Sequence, residues 1–275
     1  MKRIWSILLV VSCLFFNGQV IAASQLDSSQ LTFVAQLSDS VKYISIDGLN
    51  NIYVLNQKNF LIKYDGTGKK INDYNDVYLN EETIISCENP FKTVLYYPDQ
   101  GKLKILDNRL SVSAEIDIYA LGLVDVAAVC PTKDNQHIWV FDEGTMTLYK
   151  ISQSGKLIYD LDMRDLPGKD DFSQGAPVRM IETNSKLFMI NEKAAVYIFD
   201  NFGNFNRKFN FIAKPTEINA TDEFLIYKMH SNIVVFSVKN YDSTIVPVEI
   251  ESSQIVVGKG IAVARQATGW NIYKF

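Results

Sequence analysis

Short apolar runs broken by polar clusters recur along the chain, and within the runs apolar and polar positions alternate as they do in half-buried strands. Ile52-Tyr53-Val54 is followed, nine positions on, by Leu61-Ile62-Lys63-Tyr64-Asp65. The same couple returns as Val94-Leu95-Tyr96 with Leu103 to Asp107, as Ile138-Trp139-Val140 with Leu148 to Ser152, and as Leu187-Phe188-Met189 with Val196 to Asp200. Phe224-Leu225-Ile226 with Ile233 to Ser237 and Ile261-Ala262-Val263 with Trp270 to Tyr273 bring the copies to six. The offset within a copy is 9, 9, 10, 9, 9 and 9 residues, and successive copies are 42, 44, 49, 37 and 37 residues apart. Unrelated strands would scatter these offsets, so the chain is built from a repeat.

Each couple is flanked by two further strands. An apolar one precedes it: Val41 to Ile46, Thr83 to Cys87, Val124 to Cys130, Val178 to Ile181, Thr216 to Ala220 and Gln254 to Val257. A turn such as Asp65-Gly66-Thr67-Gly68 or Asp200-Asn201-Phe202-Gly203 follows it and leads to a looser strand, as in Val112 to Ile118 or Phe205 to Phe211. Glycine and asparagine tolerate positive φ and suit tight antiparallel hairpins. Four antiparallel strands in roughly 40 residues is the blade size of a β-propeller. The sixth copy has only three strands before the chain stops at Phe275, and residues 31–37, in which Leu31, Phe33, Ala35 and Leu37 alternate, are predicted to supply the fourth. The expectation is therefore an all-β, six-bladed propeller over residues 23–275, closed by an N-terminal strand. Tyr53, Tyr96, Trp139 and Phe188 are expected to fill its core.

The pattern Ile52-Tyr53-Val54, Asn56, Asn59, Leu61, Tyr64-Asp65 and Gly68 resembles the NHL-type repeat of six-bladed propellers, with Asn56 where that family usually has aspartate and Phe60 where it usually has arginine. The resemblance extends over residues 31–275 through the repeated copies. It implies a scaffold used by protein-interaction platforms, by ligand binders and by some enzymes, and it selects no reaction.

Residues 1–22 join Lys2 and Arg3 to an apolar run from Ile4 to Phe16 and end on Val20-Ile21-Ala22, the layout of a secretory signal peptide. The run is shorter than the roughly 20 residues a membrane span needs. Cleavage near Ala22 would release a periplasmic or secreted chain; the alternative is a lipoprotein anchored at Cys13, since Val10-Val11-Ser12-Cys13 resembles a lipobox. Loss of Lys2 and Arg3 takes the net charge from −4 to −6, and no basic cluster remains to neutralise nucleic-acid phosphates. A composition 47% hydrophobic and 12% aromatic excludes disorder as the general state. Cys87 and Cys130 are read as two buried thiols, with a single disulfide as the alternative.

Candidate chemistry falls on the hairpin loops between second and third strands: 56–59, 98–101, 142–145, 191–194, 228–231 and 265–268. Asn56, Lys58, Asp99, Asp142, Glu143, Glu192, His230 and Arg265 are the candidate binding residues there. Asp170, Asp171 and Phe172 join them from the insertion 162–177, since long loops in compact domains more often carry function. The leading expectation is a non-enzymatic scaffold that binds a protein, peptide or glycan partner in the cell envelope, without a cofactor. The alternative is a metal-dependent hydrolase or lactonase resembling the gluconolactonase-like propellers, drawing on Asp39, Asp47, Glu82, Asp125, Glu182 and Glu217 near the inner strands. Calcium is a candidate ligand at Asp73 to Asp76 or at Asp170-Asp171, although neither has EF-hand spacing. His137 and His230 are the only histidines, and no Gly-x-Ser-x-Gly elbow is present, which argues against a triad hydrolase.

Overall fold

A computed structural model of the chain describes residues 31–37, 40–166, 175–193, 195–210, 218–229, 232–247, 252 and 254–274. Ahead of the first blade lies β1 (Thr32–Leu37). Blade 1 comprises β2 (Val41–Ile46), β3 (Ile52–Asn56), β4 (Phe60–Tyr64) and β5 (Lys70–Asn75). Blade 2 comprises β6 (Ile84–Asn89), β7 (Lys92–Tyr97), β8 (Lys102–Asp107) and β9 (Val112–Asp117). Blade 3 comprises β10 (Val126–Pro131), β11 (His137–Asp142), β12 (Thr147–Ser152) and β13 (Leu157–Asp162). Blade 4 comprises β14 (Pro177–Glu182), β15 (Lys186–Asn191), β16 (Ala195–Asp200) and β17 (Phe205–Asn210). Blade 5 comprises β18 (Ile218–Ala220), β19 (Phe224–Met229), β20 (Asn232–Ser237) and β21 (Ser243–Pro247). Blade 6 takes β22 (Ile255–Val257), β23 (Ile261–Gln266) and β24 (Gly269–Lys274), and its fourth strand is β1. All six sheets are four-stranded and antiparallel, and consecutive first strands touch around the whole ring, from β2 through β6, β10, β14, β18 and β22 back to β2.

The closing strand is held in register by Thr32 opposite Lys274, Phe33 opposite Tyr273, and Leu37 opposite Trp270. A bulge at Val34 interrupts the even alternation read from residues 31–37. The extra residue turns Val34 and Ala35 toward the core while Phe33 stays 56% exposed, edge-on to Tyr273 at 6.2 Å.

Packing lies between the blades. Six apolar clusters are found among the described residues, one in each interface between neighbouring blades. Tyr53, Tyr96, Trp139 and Phe188 are each at most 1% exposed, and burial of such a side chain contributes about 1.5–3 kcal/mol. Cys87 and Cys130 are buried and unbridged, and burial pushes both thiols up.

The repeated polar residues close the turns. Asp65 Oδ1 accepts from the Thr67 and Lys69 N–H groups, Asp107 Oδ1 from Arg109 and Ser111, and Asp200 Oδ1 from Phe202 and Asn204. Ser152 Oγ does the same for Lys156. Each carboxylate or hydroxyl satisfies turn N–H groups that the ladder leaves unpaired. The turn glycine has its own reason: Gly68 (φ +84°) and Gly203 (φ +92°) sit against the preceding blade, where a Cβ would meet Ala35 at 3.0 Å and the Tyr159 ring at 2.5 Å. Lysines of the third strands then tie neighbours together, Lys63 Nζ donating to Asn108 O and Lys150 Nζ to Asn201 O, both at 3.0 Å.

Deleting residues 24–38 removes β1 and leaves the β24 edge unpaired. The truncated chain is expected to aggregate or to melt well below the parent in a thermal unfolding experiment; an unchanged Tm would refute closure by β1.

Candidate functional site

Strand direction sorts the loops onto two faces. The upper face carries the hairpins between second and third strands and the connections between blades; the lower face carries the other turns. Polar side chains of the predicted binding loops on the upper face are engaged in hydrogen bonds that hold the loops. Asn56 Oδ1 accepts from the Lys58 and Phe60 N–H groups, and Asn191 Oδ1 accepts from Lys193 and Ala195. Asp142 is fully buried, accepting from the Asp125 N–H at 3.0 Å and the Thr145 hydroxyl at 3.0 Å. Lys58, Asp99, Glu143, Glu192 and Arg265 remain exposed, and Arg265 Nη1 donates to Gln254 Oε1 at 3.3 Å. His230, Asp170, Asp171 and Phe172 lie outside the described residues, as do Asp39 and Glu217.

Asp99 leads to a feature the loop tips did not reveal. It lies in the turn after β7 and lines a small cleft of ≈ 120 Å³ with Val77, Tyr78, Pro98 and Gln100. On the other side of that turn, the Tyr119 hydroxyl donates to Pro98 O at 2.9 Å and its ring packs over Gly101, where a Cβ would sit 2.4 Å from the ring carbons. Val77 is 91% exposed, Tyr78 51%, Tyr119 48% and Val124 66%. Two blade-to-blade connections therefore expose apolar side chains on one face, with Val77, Tyr78 and Tyr119 around a single turn. Val124 was expected inside the first strand of its blade, but that strand begins at Val126 and Val124 stands outside it. An apolar residue just before a strand reads in sequence as part of the strand.

The patch has a firm base. Asp76 Oδ1 accepts from the Tyr78 N–H at 3.0 Å, and Oδ2 accepts from the Tyr74 hydroxyl at 2.8 Å and from Lys104 Nζ. Burial pushes the Asp76 carboxyl up, but the hydrogen bonds from Lys104, Tyr78 and Tyr74 outweigh it and hold it below the usual carboxylate range. Glu82, Asp99, Asp125 and Glu143 are exposed on the connections and turns of this face, and Lys102 beside Gly101 is paired with Glu115 and Asp117.

At the axis, a bulge at Val178 re-aims β14 so that Arg179 reaches across the ring. Its Nη2 donates to Glu88 Oε1 of blade 2 at 2.8 Å and to Ser45 Oγ of blade 1 at 3.4 Å. Ser86 Oγ donates to the other Glu88 oxygen at 2.7 Å. The channel centre is thus filled by a charge-assisted network linking three blades.

Among the described residues the inner carboxylates do not converge. Asp47 is buried in the first lower turn, accepting from the Leu49 and Asn51 N–H groups, the Asn51 amide and the Tyr53 hydroxyl. Glu182 is buried at the lower end of β14 and accepts from the Lys133 N–H at 2.9 Å and from Trp139 Nε1. Asp73 is paired with Lys70 at 2.7 Å. His137 Nδ1 meets Asp134 Oδ2 at 2.8 Å in a lower turn where Asp134 also accepts from Gln136 N–H and the Thr132 hydroxyl. Among the described residues no three His, Cys, Asp or Glu side chains are placed to hold a metal ion. No helix among them is long and apolar enough to cross a membrane.

These features define a closed six-bladed β-propeller with an apolar patch on its upper face. No protein-family model matches the chain, and no curated protein matches it either. Solved structures do. The Cps50 (Swd1) β-propeller domain of Myceliophteria thermophila is similar with a TM-score of 0.57 at 10% identity, covering 89% of this chain and 99% of that one. The Pan2 WD40 domain of Neurospora crassa is similar at 0.55 and 12% identity, covering 87% and 80%. A catalytically inactive virginiamycin B lyase from Staphylococcus aureus, solved with quinupristin, is similar at 0.55 and 11% identity, covering 90% and 98%. At these identities the likeness is one of fold.

Glu182 offers a test of the buried carboxylates. Burial pushes its carboxyl above the ordinary range, against the opposing hydrogen bonds from Lys133 and Trp139. A raised carboxyl binds its proton more tightly folded than unfolded, so its contribution to stability is lost as pH rises through the folded pKa. Glu182→Gln cannot ionise, so its Tm relative to the parent is expected to increase as pH rises above the ordinary carboxylate range. A Tm difference independent of pH would contradict a raised Glu182.

Proposed function

We propose that this chain is an exported binding scaffold whose upper face recognises a protein or peptide presenting an apolar side chain flanked by Lys or Arg. One observation carries the reading: Val77, Tyr78 and Tyr119 are exposed around the Pro98–Gly101 turn, and Val124 is exposed on the same connection as Tyr119. A contiguous exposed apolar patch with a polar rim is the usual mark of a protein contact. The two valines suit a protein side chain better than the hydroxyls of a glycan, and the acidic rim of Glu82, Asp99, Asp125 and Glu143 steers a basic partner. The repeats belong, in this proposal, to the NHL-like type, supported by the Asp65 to Gly68 turn and its counterparts. Export is supported by the basic, apolar and small-residue layout of residues 1–22.

Photo-crosslinkers placed at Val77 and, as a control, at outer-strand Ile245 are expected to capture a partner only from Val77. The purified partner should then bind the Val77→Ser, Tyr78→Ser double variant about tenfold more weakly, with Tm unchanged. Equal affinity, or capture only from Ile245, would refute the upper face as the binding surface. Intact-mass analysis of the protein recovered from its native envelope is expected to show a start near Ala23. A lipidated Cys13 start would replace secretion by anchoring, and an intact Met1 start would refute export.

A further inference from the structure

A second cleft lies on the lower face between blades 4 and 5 and has a different chemistry. It encloses ≈ 480 Å³, within the roughly 300–1,000 Å³ typical of small-ligand sites. Its apolar lining includes Ile198 and Val238, both buried and both part of the core between these blades. Tyr241 lines it as well, 39% exposed. The Arg207 guanidinium lies over that ring, its central carbon 4.5 Å from the ring centroid. Stacking fixes the plane of the guanidinium and leaves its N–H edges available for an in-plane acceptor.

Lys186, Lys239, Asp222 and Glu223 also line the cleft. The Lys186 ammonium is positioned by Asp222 O at 2.7 Å and Ser185 Oγ at 3.3 Å. Asp222 belongs to the turn: its Oδ1 accepts from the Ser185 N–H and hydroxyl, both at 2.8 Å. Among the described residues no ion pair involves Lys186, Arg207 or Lys239. Three cations facing two carboxylates leave the lining one positive charge in excess, which one monoanion would balance. A planar carboxylate matches the fork of a stacked arginine, whereas a phosphate dianion would overshoot the charge and approach Glu223 unfavourably.

We propose that the cleft between blades 4 and 5 binds a monocarboxylate with a flat or apolar body. The carboxylate pairs with the Arg207 edge and with Lys186 or Lys239, and the body lies along Ile198, Val238 and Tyr241. A free organic acid and the C-terminal carboxylate of a peptide present the same chemistry. The site is independent of the upper-face patch, since it uses other blades and the opposite face.

Calorimetric titration of the mature chain with phenylacetate, with neutral phenylacetamide and with inorganic phosphate tests the proposal. Phenylacetate is expected to bind, and phenylacetamide and phosphate each at least about tenfold more weakly. Arg207→Met should weaken phenylacetate about tenfold, while Glu223→Gln should tighten it a few-fold by removing a like charge. Opposite effects of two exposed substitutions cannot arise from misfolding. A short peptide ending in phenylalanine, compared with its C-terminal amide, identifies the source: tighter binding than phenylacetate assigns a peptide terminus, and weaker binding a free acid. The proposal is overturned if phenylacetamide or phosphate binds as well as phenylacetate, if none of the probes binds, or if neither variant changes the affinity.

Discussion

The structure depends on one pairing, that of β1 with β24. A propeller blade cannot bury both faces of its sheet alone, so every interface needs a neighbour on each side and the ring has to close. Here the closing bonds are made between strands at opposite ends of the chain, Thr32 to Leu37 against Gly269 to Lys274. Val34, Ala35 and Leu37 complete the core between blades 6 and 1, and Gly68 of blade 1 packs directly on Ala35 and Ile272. Closure and the turn from Asp65 to Gly68 are therefore one packing problem. Pairing across such a separation gives up loop-closure entropy, and the contacts around the ring recover it.

The blade architecture was legible because its two signals are local. Alternation marks strands, and a constant offset of nine or ten residues marks hairpins of constant geometry. The bulges at Val34 and Val178 were not legible, since an inserted residue leaves no mark in a short apolar run. Yet these bulges decide which way Phe33 and Arg179 point. At the loop tips, residue type misdirected attention in a specific way. Asn56 and Asp142 are the polar side chains one expects at a binding surface, and they are also the ones that satisfy turn N–H groups; only the geometry separates the two roles. Val77 and Tyr78 carry the opposite signature, apolar residues in a polar connection, and could have been singled out on that ground; Tyr119 lies in the apolar run 118–124 and could not.

The two faces divide the chemistry. The axis is occupied by Arg179, Glu88, Ser45 and Ser86, and the buried carboxylates Asp47 and Glu182 are bound into lower turns. Among the described residues, two features on the rims stand out: an apolar patch above blades 1 to 3, and a cationic cleft between blades 4 and 5 below. Both are built on turns held by side-chain hydrogen bonds, Asp76 under Tyr78 in one case and Asp222 with Ser185 in the other. Such sites are pre-organised, which lowers the ordering cost of binding.

Native-state hydrogen exchange of the β1 and β24 amides tests the closure most directly. The account predicts that the hydrogen-bonded amides of Thr32 to Leu37 exchange only through global unfolding, with the same free energy as those of β23 and β24. Exchange of β1 by local opening, while β23 and β24 stay protected, would contradict it.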